Sequence, residues 1–160
     1  MGVTKEQLQG GRVLSYLIRQ FVKEPNKDNL ILVMRCLRDS DVWVPMTVEV
    51  SKEDQKKLDQ AQRGEEVSTK EPIRLKPKTV SIQDGSECLP VFSRKEEIPK
   101  HYKTNFSIVN LSFMECIQLV RHMSNVEQVV LNGFTNGQSI KLGEERLSVI
   151  ERLPSEIVKK

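Results

Sequence analysis

The side chains with the sharpest potential chemistry are three cysteines and two histidines in a chain of 160 residues. A cysteine acts as a nucleophile when its thiolate sits beside a base. Cys88, which precedes Leu89-Pro90, and Cys116, upstream of His122, are the candidates. The spacing from Cys116 to His122 rotates the two side chains apart on one helix. Cys36, Cys88 and Cys116 stand far apart among apolar neighbours, and none belongs to a Cys-x-x-Cys pair. They read as buried free thiols of a reducing cytoplasm. His101 and His122 share no metal-ligand spacing with them. The chain has no P-loop, no Gly-x-Gly-x-x-Gly, no Gly-x-Ser-x-Gly and no His-Glu-x-x-His. The expectation is a protein that is not an enzyme, with no catalytic residue, no metal and no cofactor.

Binding chemistry has more to offer. Arg74, Lys76 and Lys78 alternate along an extended stretch, so all three can project from one face. Together with Arg94, Lys95, Lys100 and Lys103 they can grip phosphates, and Tyr102 adds a stacking surface. The competing explanation is a strand edge that lysines keep from aggregating. Glu71, Asp84, Glu96 and Glu97 are interspersed and favour it. Net charge is +3, from 25 basic and 22 acidic residues, too balanced to demand nucleic acid or an anionic membrane. Nucleic acid is therefore the less favoured partner. The turn Asn132-Gly133-Phe134-Thr135-Asn136-Gly137 can offer Phe134 to a protein partner, with Asn132 beside it. Phe134 is equally suited to pinning the turn from inside. Trp43, the one tryptophan, reads as core more than as an exposed anchor.

The elements that position these residues follow from periodicity. Leu14, Leu17, Ile18 and Phe21 line one face of a helix over 5–23, weakened by Gly10-Gly11 and stopped by Pro25. Leu30, Val33, Met34 and Leu37 repeat that spacing over 28–39, with Asp28 or Asn29 as cap. The two helices can pack as a hairpin. Alternatively residues 1–25 form an appendage, docked on a domain of 26–160 or on a partner. Next come a strand over 42–50 interrupted by Pro45, a surface helix to Arg63 and short strands around 73–75 and 80–82. Asp84-Gly85 marks a β-hairpin into Cys88–Phe92. Ser93 opens a Ser-x-x-Glu box for a short helix to Ile98, and Pro99–Thr104 is a loop.

A strand at 106–109 leads into a helix capped by Asn110 or Ser112 and ending near His122. Phe113, Ile117 and Val120 form its core stripe. Strands at 127–131 and 139–142 and a helix over 143–153 complete the chain. The strand–helix–strand unit at 106–131 predicts a parallel pair, and the Asp84 and Asn132 turns predict antiparallel ones. The class is α+β, with a mixed, largely antiparallel β-sheet, helices mainly on one face, and an N-terminal helix preceding it. Val91 and Phe92 should face opposite sides of the sheet, with Phe92 against Phe113, Ile117 and Val120. No apolar run reaches membrane-spanning length, and the N-terminus has neither a signal core nor a myristoylation pattern, so no membrane is expected.

Several stretches together resemble the amino-terminal domain of the SseB family (enhanced serine sensitivity protein B). They are Asn29-Leu30, then Leu37-Arg38-Asp39-Ser40-Asp41-Val42-Trp43-Val44-Pro45. The segment Asp84-Gly85…Leu89-Pro90-Val91-Phe92-Ser93 matches best, and Val129-Val130-Leu131-Asn132 resembles the family's apolar strand ending in Asn. Gly133 stands where family members commonly have Pro, and residues 46–78 are more charged than the pattern. The resemblance covers residues 26–153. It implies a soluble bacterial α+β domain and points to no catalytic residue, while the cysteines point to the cytoplasm. The expected role is a protein-interaction module, with a protein partner or self-association through helix 5–23. The alternative is a module for nucleic acid or a phosphorylated ligand on the basic strand face.

Overall fold

A reciprocal capping box starts the first helix. Thr4 Oγ1 accepts the Gln7 N–H at 3.2 Å, and Gln7 Oε1 accepts the Thr4 N–H at 2.8 Å. Helix α1 (Lys5–Leu8) then gives way to a 3-10 turn at Gln9–Gly11, where Gly10 and Gly11 adopt φ of 82° and 72°. Only glycine fits Gly11, because a Cβ there would lie 1.9 Å from the Ser93 carbonyl oxygen. Helix α2 (Arg12–Lys23) pairs with α3 (Lys27–Asp39) as the expected hairpin. The α3 cap is Asn26, upstream of the two residues expected; its side chain accepts the Asn29 N–H at 2.8 Å.

The structure is a computed structural model that describes residues 4–49, 52–61, 74–81, 85–133 and 139–157. After α3 come β1 (Asp41–Glu49), α4 (Lys52–Gln60), β2 (Arg74–Pro77), β3 (Val80–Ser81) and β4 (Glu87–Val91). Then follow α5 (Lys100–Asn105), β5 (Ser107–Ser112), α6 (Phe113–His122), β6 (Val126–Leu131), β7 (Ile140–Leu142) and α7 (Glu144–Arg152). Gly85 has the positive φ that the hairpin before β4 needs, 86°. Ser112 is the α6 cap, accepting the Glu115 N–H at 3.2 Å.

The fold is α+β, but the strands form two sheets rather than one. The first has the order β2-β1-β5 and is antiparallel; the second has the order β3-β4-β6-β7 and is mixed. The parallel pair is β4–β6, whereas the strand–helix–strand unit had pointed to β5–β6. The reason is that β5 pairs along its length with β1, Asp41↔Ser112 through Met46↔Ser107, so α6 carries the chain across to the other sheet. Among the described residues the sheets meet at one bridge. Trp43 N–H donates to Phe92 O and Phe92 N–H donates to Trp43 O, both at 2.9 Å.

Helices α2, α3, α6 and α7 cover the principal core, in which Leu14, Ile18, Leu37, Val91, Phe113 and Ile117 are sealed from solvent. Leu14 and Ile18 of α2 belong to the same core as α6. Val91 and Phe92 do face opposite sides, but in the reverse sense to that expected. Val91 joins Phe113, Ile117 and Val120, while Phe92 packs in a second cluster with Ile98 and Tyr102, flanked by Trp43, Phe106 and Ile108. The cause is α5, a short helix in a stretch whose polar composition reads as a loop. It brings the Tyr102 ring 6.4 Å from Phe92 and 5.2 Å from Phe106.

Ile18→Ala is expected to cost about 2–5 kcal/mol in urea unfolding, the range for a buried aliphatic cavity. An unchanged midpoint would mean that α2 is not part of the folding core. Phe92→Ala is expected to cost about 3–5 kcal/mol, now by emptying the α5 cluster. Near-UV dichroism of Trp43 should change in that variant.

Candidate functional site

Beyond β4 the chain enters a buried polar node. Ser93 N–H donates to Asn132 Oδ1 at 3.0 Å, and Asn132 Nδ2 donates to Ser93 Oγ at 3.0 Å. The hydroxyls of Ser93 and Ser15 share a hydrogen bond of 2.7 Å. Asn132 N–H donates to Val91 O at 2.9 Å, and Asn132 holds a left-handed φ of 55°, which asparagine tolerates better than most residues. Ser15, Ser93 and Asn132 are all buried. The node ties the ends of the parallel strands β4 and β6 to α2. Ser93 is thus not a helix cap: the 3-10 turn Lys95–Glu97 follows Arg94 with no side-chain cap. Asn132, a surface-binding candidate by sequence, is an internal bracket. The set of hydroxyls, amide and backbone groups fixes position and carries no charge.

Next to this node lies an open groove of ≈ 860 Å³. Asp41 and Trp43 of β1 and Asn110 and Ser112 of β5 form its floor, because residues opposed across antiparallel strands share a face. The Leu8–Gly11 turn walls one side. Arg38, Asp39 and the segment Ser155–Ile157 wall the other. Much of this second wall is satisfied within the chain. Asp39 accepts from Ser155 Oγ at 2.6 Å and from the Glu156 N–H at 2.8 Å. Arg38 Nε donates to Leu153 O at 2.9 Å, and Arg35 pairs with Glu156. Trp43 is half-buried at the seam between groove and α5 cluster, with Lys95 Nζ 4.5 Å above its ring. The sequence signal for this groove was Gly10-Gly11 after the Thr4–Gln7 box. It reads as a weakened helix unless both glycines are recognised as a turn.

The basic residues fall elsewhere. Arg74 and Lys76 stand on β2 opposite Glu49 and Thr47, and Thr47 Oγ1 donates to Lys76 O at 3.1 Å. Lys76 is exposed. Lys78 Nζ lies 5.7 Å from the Phe106 ring, so the 74–78 stretch meets the 94–106 stretch at the α5 cluster. Arg74 and Lys76 belong to a strand of the first sheet, whereas Asn132 follows β6 of the second. Phe134, Glu71 and Asp84 lie outside the described residues.

Cysteine chemistry is constrained by burial. Burial pushes the Cys36 and Cys88 thiols up, and drives Cys116 to about 12. Cys116 is sealed in the core, while His122 is exposed with Nδ1 2.7 Å from Gln118 O. Among the described residues no three of His, Cys, Asp and Glu gather as metal ligands, and no helix is long and apolar enough to cross a membrane.

Two outcomes are expected. Asn132→Ala leaves the Ser93 N–H and hydroxyl short of partners, at a cost of about 1–3 kcal/mol per unsatisfied buried group. Asn132→Gly relieves the backbone but not those groups, so in thermal unfolding it should recover only part of the loss. Cys116 keeps its proton when folded and releases it when unfolded, from an ordinary value of 9.0. The unfolded state then binds fewer protons, so stability should fall as pH rises from 9 towards 12, by about 1.4 kcal/mol per unit from this one group. Urea midpoints across that range should show a shallower slope in Cys116→Ala.

The family model of the SseB protein N-terminal domain matches residues 14–139. The match begins within α2, upstream of the span read from the sequence, and takes in β1 to β6 with both halves of the Ser93–Asn132 bracket. Comparison with the curated proteins and with solved structures gives no match. With most of its length covered, β1 to β6 included, the chain belongs to the SseB family.

Proposed function

We propose that the protein is a non-enzymatic protein-interaction module of the bacterial cytoplasm, and that it binds its partner in the groove beside Trp43. The groove itself carries this reading. It is open, runs along a rigid two-stranded floor, and offers a half-buried indole at its end. Large aromatic side chains at such positions supply binding energy at small entropic cost. The second wall has its charges paired internally, so a partner gains shape and apolar contact there rather than a free ion. The three free thiols suit a reducing compartment, and their raised pKa values support a role without covalent chemistry.

A second reading has one observation in its favour. Lys78 and Lys95 both sit on rings of the same aromatic cluster, which joins the basic strand to the basic turn. Such a face suits a phosphorylated ligand or nucleic acid. That reading requires binding to weaken steeply with salt, by roughly one logarithmic unit of affinity per logarithmic unit of salt for each phosphate contacted.

Asp41 is exposed on the groove floor. Asp41→Arg should leave the melting temperature unchanged and abolish recovery of a stoichiometric partner by affinity capture. Trp43 fluorescence should shift when that partner is added to the wild type. A partner held equally by Asp41→Arg, with no change at Trp43, would move the binding site away from the groove.

A further inference from the structure

Among the described residues, the two sheets end in β2 and β5, and in β3 and β7. An open edge is a template for another strand, and proteins guard it with charge, proline or brevity. Strand β2 carries Arg74, Lys76 and Pro77; β3 has two residues; β7 has three, with Lys141 exposed at its centre. Strand β5 has none of these guards. It runs for six residues, Ser-Ile-Val-Asn-Leu-Ser, without charge or proline. Its apolar face is also unfinished. Val42 and Val44 of β1 are sealed, whereas their partners Leu111 and Val109 remain half-buried.

The direction of the free backbone groups follows from the seam. Trp43 exchanges both of its hydrogen bonds with Phe92, so its N–H and C=O point away from β5. Its opposite residue, Asn110, is therefore in a non-hydrogen-bonded pair and turns its own groups outward. Alternation extends this to Ile108 and Ser112. The bonds from Phe113 N–H to Ser40 O and from Lys78 N–H to Pro45 O, both 2.9 Å, fit the same alternation along β1.

We propose that β5 pairs antiparallel with β5 of a second copy, about a twofold axis at Asn110. Residues on the same face must oppose each other, and outward backbone groups must meet outward groups. An axis between Val109 and Asn110 opposes different faces. An axis at Val109 meets both conditions but pairs outward groups of β5 only at Ile108 and Asn110. The axis at Asn110 pairs all three outward residues, Ile108, Asn110 and Ser112, and so makes the most backbone bonds. Ile108 meets Ser112 of the second copy, and Val109 meets Leu111 of the second copy on the core face, which completes the apolar cover that β5 lacks alone. A foreign strand could satisfy the backbone, but the chain's own strand also supplies this apolar match. The inference rests on the interaction-module reading; its site is the β5 edge that borders the groove, and its partner there is a second copy of the chain.

The test is sedimentation equilibrium of the full chain with amide exchange across a concentration series. The wild type should approach twice its monomer mass of 18.4 kDa. Ile108, Asn110 and Ser112 amides should gain protection with concentration, while Val109 and Leu111 stay protected throughout. Asn110→Lys sets two like charges at the axis and should return the mass to the monomer value; it also removes the 3.1 Å bond from Asn110 Nδ2 to Val42 O, so continued amide protection at Val109 and Leu111 is the check that β5 keeps its place on β1. Asn110→Pro removes the outward N–H together with that same side-chain bond, and should also give the monomer mass with Val109 and Leu111 still protected. A wild type that stays monomeric, or a dimer that survives both variants, overturns the proposal. A monomer whose three outward amides become protected by a different protein also overturns it, and leaves the interaction-module reading standing.

Discussion

The reciprocal backbone pair between Trp43 and Phe92 is the constraint on which the rest depends. Phe92 follows the last residue of β4 and touches β1 at Trp43, which stays in register with β5. The pair directs Val42, Val44 and Val91 into the principal core and sends the two rings to the opposite side. That side would be bare without α5, so Tyr102 and Phe106 must follow. The pair also fixes which backbone groups of β1 face β5, and through them which groups of β5 face outward.

The node one residue further on converts this sheet geometry into a docking surface for the helices. Ser93 is held from one side by Asn132 and meets the hydroxyl of Ser15 on the other. The close approach of Gly11 to the Ser93 carbonyl explains why the chain enters α2 through two left-handed glycines. A buried polar group is costly when unpaired, so this node favours one docking geometry for α2 over its slipped alternatives. The short α1 and its turn are then placed over the ends of β1 and β5, and the groove is the space left between them.

Legibility in the sequence tracked the range of the interaction. The helix stripes of α2, α3 and α6 were readable because they are local periodicities. The Gly85 turn and the Ser112 cap were equally local. Phe92 was recognised as buried and as opposed to Val91, yet its side was misjudged, since that depends on α5, whose short polar span has no helical stripe. Asn132 had the composition of an exposed turn, and nothing local shows that its amide reaches Ser93. The split into two sheets was invisible for the same reason: β5 chooses β1 across a long loop in sequence, and periodicity does not encode partners. The groove combines three such non-local placements, so it could not be read at all.

The first sheet is longer than what covers it, and this mismatch decides where the molecule meets its surroundings. Strand β1 has nine residues, and its core face is sealed only from Val42 to Met46. Beyond that Val48 and its partner Leu75 are exposed, 49% and 51%. On the other face the α5 cluster covers the middle, Trp43 and Ile108, and stops short of Asp41 and Asn110. Each end of the sheet therefore presents a strip that the helices do not reach. At the β2 end the edge strand carries exposed Lys76, whose charge opposes strand addition. At the β5 end there is no charge, the outward backbone groups are in register, and the groove opens beside them. The same sheet is thus guarded on one edge and receptive on the other, an asymmetry that arises from strand length and side-chain choice together.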